Sequence, residues 1–227
     1  MLPDSTNVFQ ETVSGIQIVR YSATSVEENL GLDEEFAREA GRIGRKVLRL
    51  WWGGPTAVVL GCADKPERAI NVDVCEMSGI GVLKRVTGGG AVVQSQGVLN
   101  YSLTMPDTGR LDIHRVFGLG TGLVINALSL FGIEAQQRGI SDVAVGDLKI
   151  SGNAQARKWK SVLLHGTILV DMDYGLLEAV LRHPDREPDY RKGRSHRDFI
   201  VTLRNLGVGA SHSDIERAVV EAALVIP

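Results

Sequence analysis

The chain of 227 residues carries 25 basic and 27 acidic side chains, a formal net charge of −2 without the basic excess of a general nucleic-acid binder. Its length suits one domain, 1–227, with a substantial core. No apolar run reaches the about 18 residues of a membrane span, Met1 to Asn7 lacks the regions of a signal peptide, and Cys62 and Cys75 make no disulfide framework, so a reducing cytoplasm is expected.

Ile16 to Tyr21 reads as a first strand by its β-branched content. Ser25-Val26-Glu27-Glu28 is a capping box that opens a helix through Leu30, Phe36, Ala37 and Ala40, expected to stop near Gly41. Val47 to Trp52 and Thr56 to Gly61 read as strands joined at Gly53-Gly54-Pro55, and Pro66 to Met77 as a short helix. Cys62, just past a strand end, reads first as a small hydrophobe, and Cys75 on the short helix has no evident role.

Gly81-Val82-Leu83-Lys84 closes a strand, and Arg85-Val86-Thr87-Gly88-Gly89-Gly90-Ala91-Val92-Val93-Gln94 separates it from another that runs from Val98 to Met105. Three adjacent glycines cost backbone entropy, which marks a sharp turn or a close approach to a ligand. Bare N–H groups beside Arg85 suit an anion such as phosphate. Ile113 to Leu130 has helical apolar spacing and a stop at Gly132, with Gly118, Gly120 and Gly122 expected to allow close packing on a sheet.

Asp142 to Gln155 reads as a hairpin turned at Gly146-Asp147, and Leu163 to Val170 as a further strand. Asp171 to Arg182 reads as a helix. Between Arg182 and Arg197, six cations are interleaved with acids, which fits either a solvated loop or a mobile flap that meets phosphate or an acidic acceptor protein. Ser211 caps a last helix with Ile215, Ala218, Val219, Ala222 and Ala223 on one face. The five histidines are scattered without zinc-ligand spacing.

Three segments in this order, Arg85-Val86-Thr87-Gly88-Gly89-Gly90-Ala91, Asp147-Leu148-Lys149-Ile150-Ser151-Gly152-Asn153-Ala154 and His165-Gly166-Thr167, resemble the lipoate–protein ligase family. That family has octanoyltransferases and biotin–protein ligases among its relatives. A weaker match, Glu28 to Glu34, resembles its first helix. The resemblance implies an α/β (α+β) fold, a mixed, largely antiparallel sheet flanked by helices. It also implies an ATP-dependent enzyme that joins lipoate or octanoate to a lysine of a lipoyl-acceptor protein through an acyl-adenylate.

By the same resemblance, Lys149 is the catalytic lysine that meets carboxylate and phosphate. Arg85 with Gly90, Ala91, Val92 and Val93 binds the nucleotide. Gly88, Gly89, Asn100, Ser151, Gly152, Ala154, His165, Gly166 and Thr167 surround the acyl group, and Trp51 or Trp52 can wall its pocket. Magnesium is expected with ATP, with Asp142 a candidate contact. Ser141 and Gln94 depart from the family's frequent Asn and His, which leaves substrate choice and metal geometry open.

Two alternatives remain at this level: a transferase working from a carrier thioester through Cys62, and a non-catalytic lipoyl-binding protein. Only Ser211 to Pro227 follows the core, so no separate C-terminal accessory domain is expected, and a small accessory subunit is expected to help adenylation.

Overall fold

The computed structural model describes residues 9–224; the expectations about Met1 to Asn7 and about the end at Pro227 lie outside them. The elements run β1 (Phe9–Val13), β2 (Ile16–Arg20), α1 (Val26–Ile43), β3 (Val47–Trp52), β4 (Ala57–Leu60), α2 (Pro66–Ala69), α3 (Val72–Met77), β5 (Gly81–Lys84), β6 (Val92–Gln94), β7 (Val98–Pro106) and α4 (Ile113–Ser129). They continue with β8 (Gln136–Arg138), β9 (Asp142–Val145), β10 (Leu148–Lys158), β11 (Ser161–Leu169), α5 (Tyr174–Val180), a 3-10 turn at Asp189–Arg191, α6 (His196–Phe199) and α7 (His212–Ala223).

An eight-stranded sheet has the order β1-β2-β3-β7-β11-β10-β9-β8, antiparallel throughout except for the β2–β3 pair. A second sheet, β5-β4-β6, has three strands. The expected mixed, largely antiparallel sheet flanked by helices is therefore present.

Alternation along the central strands gives the large sheet two different faces. Leu48 and Leu50 of β3, Leu99, Tyr101 and Leu103 of β7, and Val162, Leu164 and Ile168 of β11 join α4 and α7 in the main core. The intervening residues face α1, and their register sets polar groups in rows. Arg49 pairs with Ser102 and Ser102 with His165; the next row is Trp51, Asn100 and Thr167. The small sheet uses the same alternation: Val58 and Leu60 pack toward α3 and α5, while Ala57 and Val59 pack against Val26 and Trp51.

Several boundaries differ from the sequence reading. Helix α1 runs past Gly41 to Ile43 and ends on Gly44 at φ 79°. Gly41 is there for contact, since a Cβ would lie 1.8 Å from the Trp159 carbonyl oxygen in the β10–β11 turn. The Pro66–Met77 helix is broken in two, because Ile70 is fully buried and bridged to Leu181. Of the three α4 glycines only Gly120 packs tightly, its Cβ position 2.5 Å from the Tyr101 hydroxyl; Gly118 and Gly122 have open space. The short strands β1, β6 and β8 have too few alternating apolar residues to show in the sequence.

Candidate active site

A cavity of about 930 Å³ opens between α1, the polar face of the large sheet, the small sheet and the segment from Arg182 to Ile200. The glycine stretch forms one wall. Its organiser is Arg85, buried at 8% exposure, which spends most of its donors on the loop. Nη2 donates to the carbonyls of Gly88 (2.6 Å) and Gly90 (2.9 Å), Nη1 to Val59 (3.2 Å) and Nε to Thr87 Oγ1 (3.0 Å). Burial lowers its pKa to about 10, against the pull of Asp64 and Cys62, so it stays a cation at neutral pH.

Gly89 sits at φ 85°, where a Cβ would also press within 2.9 Å of Arg85 Nη2. Gly89, Gly90, Ala91, Val92 and Val93 line the cavity; Gly88 does not, and serves by giving Arg85 its carbonyl.

Lys149 enters from β10, where a bulge between Lys149 and Ser151 shifts the register against β9. Its ammonium lies 2.8 Å from Asp142 Oδ1, its side chain is 29% exposed, and it lines the cavity. A Cβ on Gly152 would fall 2.8 Å from Lys149 Nζ, so the glycine clears the space the lysine occupies. Asp142 is held in turn by the Tyr190 hydroxyl, which donates to Oδ2 at 2.9 Å. Burial and that carboxylate push the Tyr190 phenol far up, which keeps it a donor.

Gly152, Ala154, His165, Gly166, Thr167 and Asn100 all reach the cavity. Ser151 does not: it is fully buried within β10, its hydroxyl without a partner. Asn100 and Gln94 satisfy each other through reciprocal amide bonds of 2.7 and 2.9 Å. The pairing gives each of these two buried cavity-wall amides a hydrogen-bond partner. Trp51 lines the pocket; Trp52 instead stacks on His212 at 3.6 Å and bonds Glu216.

The segment expected as a loop or mobile flap is docked. Tyr190 and Arg191 are buried, Arg194 donates to the Asp147 and Tyr190 carbonyls (2.8 Å each), and the Val201 N–H meets the Lys149 carbonyl at 2.9 Å. Arg182, Arg186 and Arg191 line the cavity and give this edge a positive character. Cys62 is exposed and off the cavity, its N–H on the Thr87 carbonyl; Cys75 is buried between α3 and α5, and burial pushes its thiol up.

Sequence reasoning missed the group at the base of the cavity. Asp33 of α1, 1% exposed, accepts at Oδ1 from Arg49 (2.8 Å) and Ser102 (2.7 Å) and at Oδ2 from Trp51 Nε1 (3.2 Å). Burial pushes its carboxyl up, but Arg49, His165 and the Ser102 hydroxyl outweigh that and hold it below the usual carboxylate range. His165 Nδ1 lies 3.9 Å from Asp33 Oδ2, and its Nε2 is 2.6 Å from Thr87 Oγ1. A signal existed: Asp33 falls in the buried stripe of Val26, Asn29, Phe36, Ala37 and Ala40, and Arg49 stands alone in an apolar strand.

Among the described residues no cluster of three or more His, Cys, Asp or Glu side chains could hold a metal, and no helix is long and apolar enough to cross a membrane.

The sequence profile of the lipoyl protein ligase A/B catalytic domain matches residues 25–224. A protein of Aeropyrum pernix named "Putative lipoate-protein ligase A" is 31% identical over 156 residues, which is 69% of this chain and 58% of that protein. The lipoate-protein ligase A subunit 1 of Thermoplasma acidophilum is 27% identical over 202 residues, covering 85% of this chain and 76% of that one. The chain thus spans under two thirds of the Aeropyrum relative and about three quarters of the Thermoplasma one.

Among solved structures, that of a bipartite lipoate protein ligase and its E2 lipoyl domain from Thermoplasma acidophilum superposes with a TM-score of 0.79 at 25% identity, covering 93% of this chain and 82% of that one. A lipoate-protein ligase A bound with ATP gives 0.78 at 24%, covering 93% and 84%, and shares the fold.

Proposed function

The chain belongs to the lipoyl protein ligase A/B catalytic domain family, and from that premise we propose that it joins lipoate or octanoate to a lysine of a lipoyl-acceptor domain at the expense of ATP. The observation that carries the reading is the convergence of Lys149, Arg85 and an apolar wall with Trp51 on one cavity. One acyl chain and one nucleotide fit there with carboxylate and α-phosphate at the lysine.

The acyl carboxylate oxygen attacks the α-phosphorus and pyrophosphate leaves, forming the acyl-adenylate. The acceptor amine then attacks the acyl carbon, AMP leaves, and an amine proton is released. Both steps gather negative charge between phosphate and carboxyl oxygens. A fixed ammonium there lowers the barrier by several kcal/mol when its geometry is set beforehand. Asp142 supplies that setting and leaves the other Lys149 donors for the ligand. Gly90 and Ala91 offer backbone N–H groups to the phosphate. The cations at Arg182 and Arg186, on the cavity edge, suit the leaving pyrophosphate.

Magnesium is proposed only as the companion of the triphosphate. It commonly takes one or two carboxylates with phosphate oxygens and waters; Asp142 presents one carboxylate to the cavity, but Lys149 and Tyr190 already occupy its two oxygens, so the ion would be held chiefly by phosphate and water. Bound there, it would neutralise phosphate charge. The Thermoplasma system is bipartite, and we extend that to this chain: adenylation is slow alone and quickens with a separately encoded small subunit. The reducing cytoplasm is its proposed setting, where an exposed free thiol at Cys62 persists.

The test supplies preformed lipoyl-adenylate and a lipoyl domain to the isolated chain, which bypasses any partner needed for adenylation. A lipoyl mass increment on the acceptor lysine is expected. An acceptor that stays unmodified, while the folded chain also lacks affinity for the adenylate, would reject the ligase reading.

A further inference from the structure

We propose that Asp33 is a positioning residue for this site: one buried carboxylate that orients Trp51 directly and, through a directional relay of His165, Thr87 and Arg85, fixes the glycine loop. The proposal rests on the ligase reading only for what the cavity holds.

The Asp33–Arg49 pair is expensive. Both side chains are almost wholly buried, 2.8 Å apart, and such a pair rarely stabilises a fold more than apolar packing of the same volume. Its outputs lead to the cavity. Oδ1 is occupied by Arg49 and Ser102; Oδ2 faces Trp51 and His165, both of which line the cavity. The sheet register makes this arrangement, since Arg49, Ser102 and His165 stand in one row across β3, β7 and β11, beneath Asp33.

The hydrogen positions follow from the donors and acceptors available. With Nδ1–H of His165 toward Asp33, Nε2 is a bare acceptor and takes the Thr87 hydroxyl proton at 2.6 Å. Thr87 Oγ1 is then free to accept from Arg85 Nε at 3.0 Å, which leaves Nη2 to hold the Gly88 and Gly90 carbonyls. From His165 onward every hydrogen bond in that order has one donor and one acceptor. The other tautomer turns the Nδ1 lone pair on the Asp33 carboxylate and takes the Thr87 hydroxyl proton out of the chain.

At 3.9 Å the Asp33–His165 contact is too long for a hydrogen bond. It acts on the tautomer as a nearby charge, since a carboxylate favours the Nδ1–H edge of the ring over its lone pair at that distance. The groups that face His165 are Asp33 of α1, Ser102 of β7, and Thr87 of the glycine loop with Arg85 behind it.

Nitrogen-15 NMR of the unliganded protein reads the His165 tautomer directly, without reference to activity. The Nδ1–H form is expected in the wild type and a loss of that preference in Asp33→Asn. Thr87→Val keeps the side-chain volume, and is the second variant should Asp33→Asn fail to fold. It is expected to bind a non-reactive lipoyl-adenylate analogue at least ~10-fold more weakly, the scale of one hydrogen bond to a charged group. Thr87→Ser is expected to restore binding. A wild-type His165 in the Nε2–H form overturns the proposal, as does Thr87→Val binding within about two-fold of wild type. A wild type that shows the Nδ1–H tautomer yet does not bind the analogue would instead refute the ligase reading, and leave the relay supported.

Discussion

The two faces of the large sheet are built from the same strands and differ in almost everything else. On one, Leu50, Leu99, Tyr101, Leu103 and Leu164 close against α4 and α7. On the other, one residue out of step, Arg49, Asn100, Ser102 and His165 face α1 and the cavity. The first face gains stability from apolar area removed from water. The second takes on the desolvation cost of a buried ion pair and returns fixed orientation of Trp51 and His165. A slip of one residue in any central strand would exchange the two roles, so the register is held by both at once.

This contrast is broken most forcefully from the apolar side. Leu123→Ala in α4 removes a fully buried side chain from the main core. It is expected to cost ~2–5 kcal/mol of stability. Because nothing at the cavity moves, the fraction still folded should bind acyl-adenylate as the wild type does. Denaturant unfolding and a binding titration on the same sample separate the two. A large loss of affinity alongside the lost stability would mean the faces are not independent.

Lys149→Ala is the converse. The side chain is partly open and its carboxylate partner keeps the Tyr190 hydroxyl, so the melting temperature should change little. Acyl transfer from lipoyl-adenylate should fall by at least ~100-fold, the scale for one preorganised electrostatic contact. Transfer within a few-fold of wild type in a folded variant would remove Lys149 from the site.

How much of this was legible in the sequence divides along the same line. The apolar face was readable because periodicity repeats: α4, α7 and the central strands fall close to their expected limits. Much of the cavity was readable too, because glycines and a lysine clustered in order carry the family resemblance. What periodicity cannot show is a pairing between distant positions. Asp33, Arg49 and Tyr190 take their meaning from the α1–sheet contact and from the docking of the Arg182–Ile200 segment. Ser151 stands off the cavity although Lys149 and Gly152 line it, because a β-bulge beside Lys149 alters which residues share a face.

A smaller effect sharpens the reading of the helix. Gly118 was expected to permit close packing on the sheet, yet a Cβ there meets nothing within 4 Å. Gly118→Ala should therefore stabilise the protein by ~0.5–1 kcal/mol, the helix-propensity difference. At Gly120 the same change would drive a methyl group against the Tyr101 hydroxyl and Leu164. A thermal melt of Gly118→Ala that falls rather than rises would show that a neighbour comes within contact of the Gly118 Cβ position.

The smallest expected effect decides between ligase and transferase chemistry. An acyl transferase working from a carrier thioester needs a thiolate to hold the acyl group. Cys75 is closed off between α3 and α5, and burial holds it as the thiol. Cys62 is exposed but lies outside the cavity, although its neighbours Ala63 and Asp64 line it and its charge would be felt by Arg85. An acyl group seated against Trp51 and Lys149 therefore has its carbonyl at the lysine, with no thiol on the cavity wall to receive it. The double change Cys62→Ala, Cys75→Ala is expected to leave transfer from lipoyl-adenylate within about two-fold of wild type, less than 0.5 kcal/mol. Intact-protein mass spectrometry should find no adduct after exposure to an octanoyl-carrier thioester. An octanoyl mass on Cys62, lost together with activity in Cys62→Ala, would reverse the assignment. It would require the Gly61–Asp64 turn to swing the thiol into the cavity, against the Cys62 N–H bond to the Thr87 carbonyl and the contact between Gly61 and the Gly89 carbonyl that now hold it away.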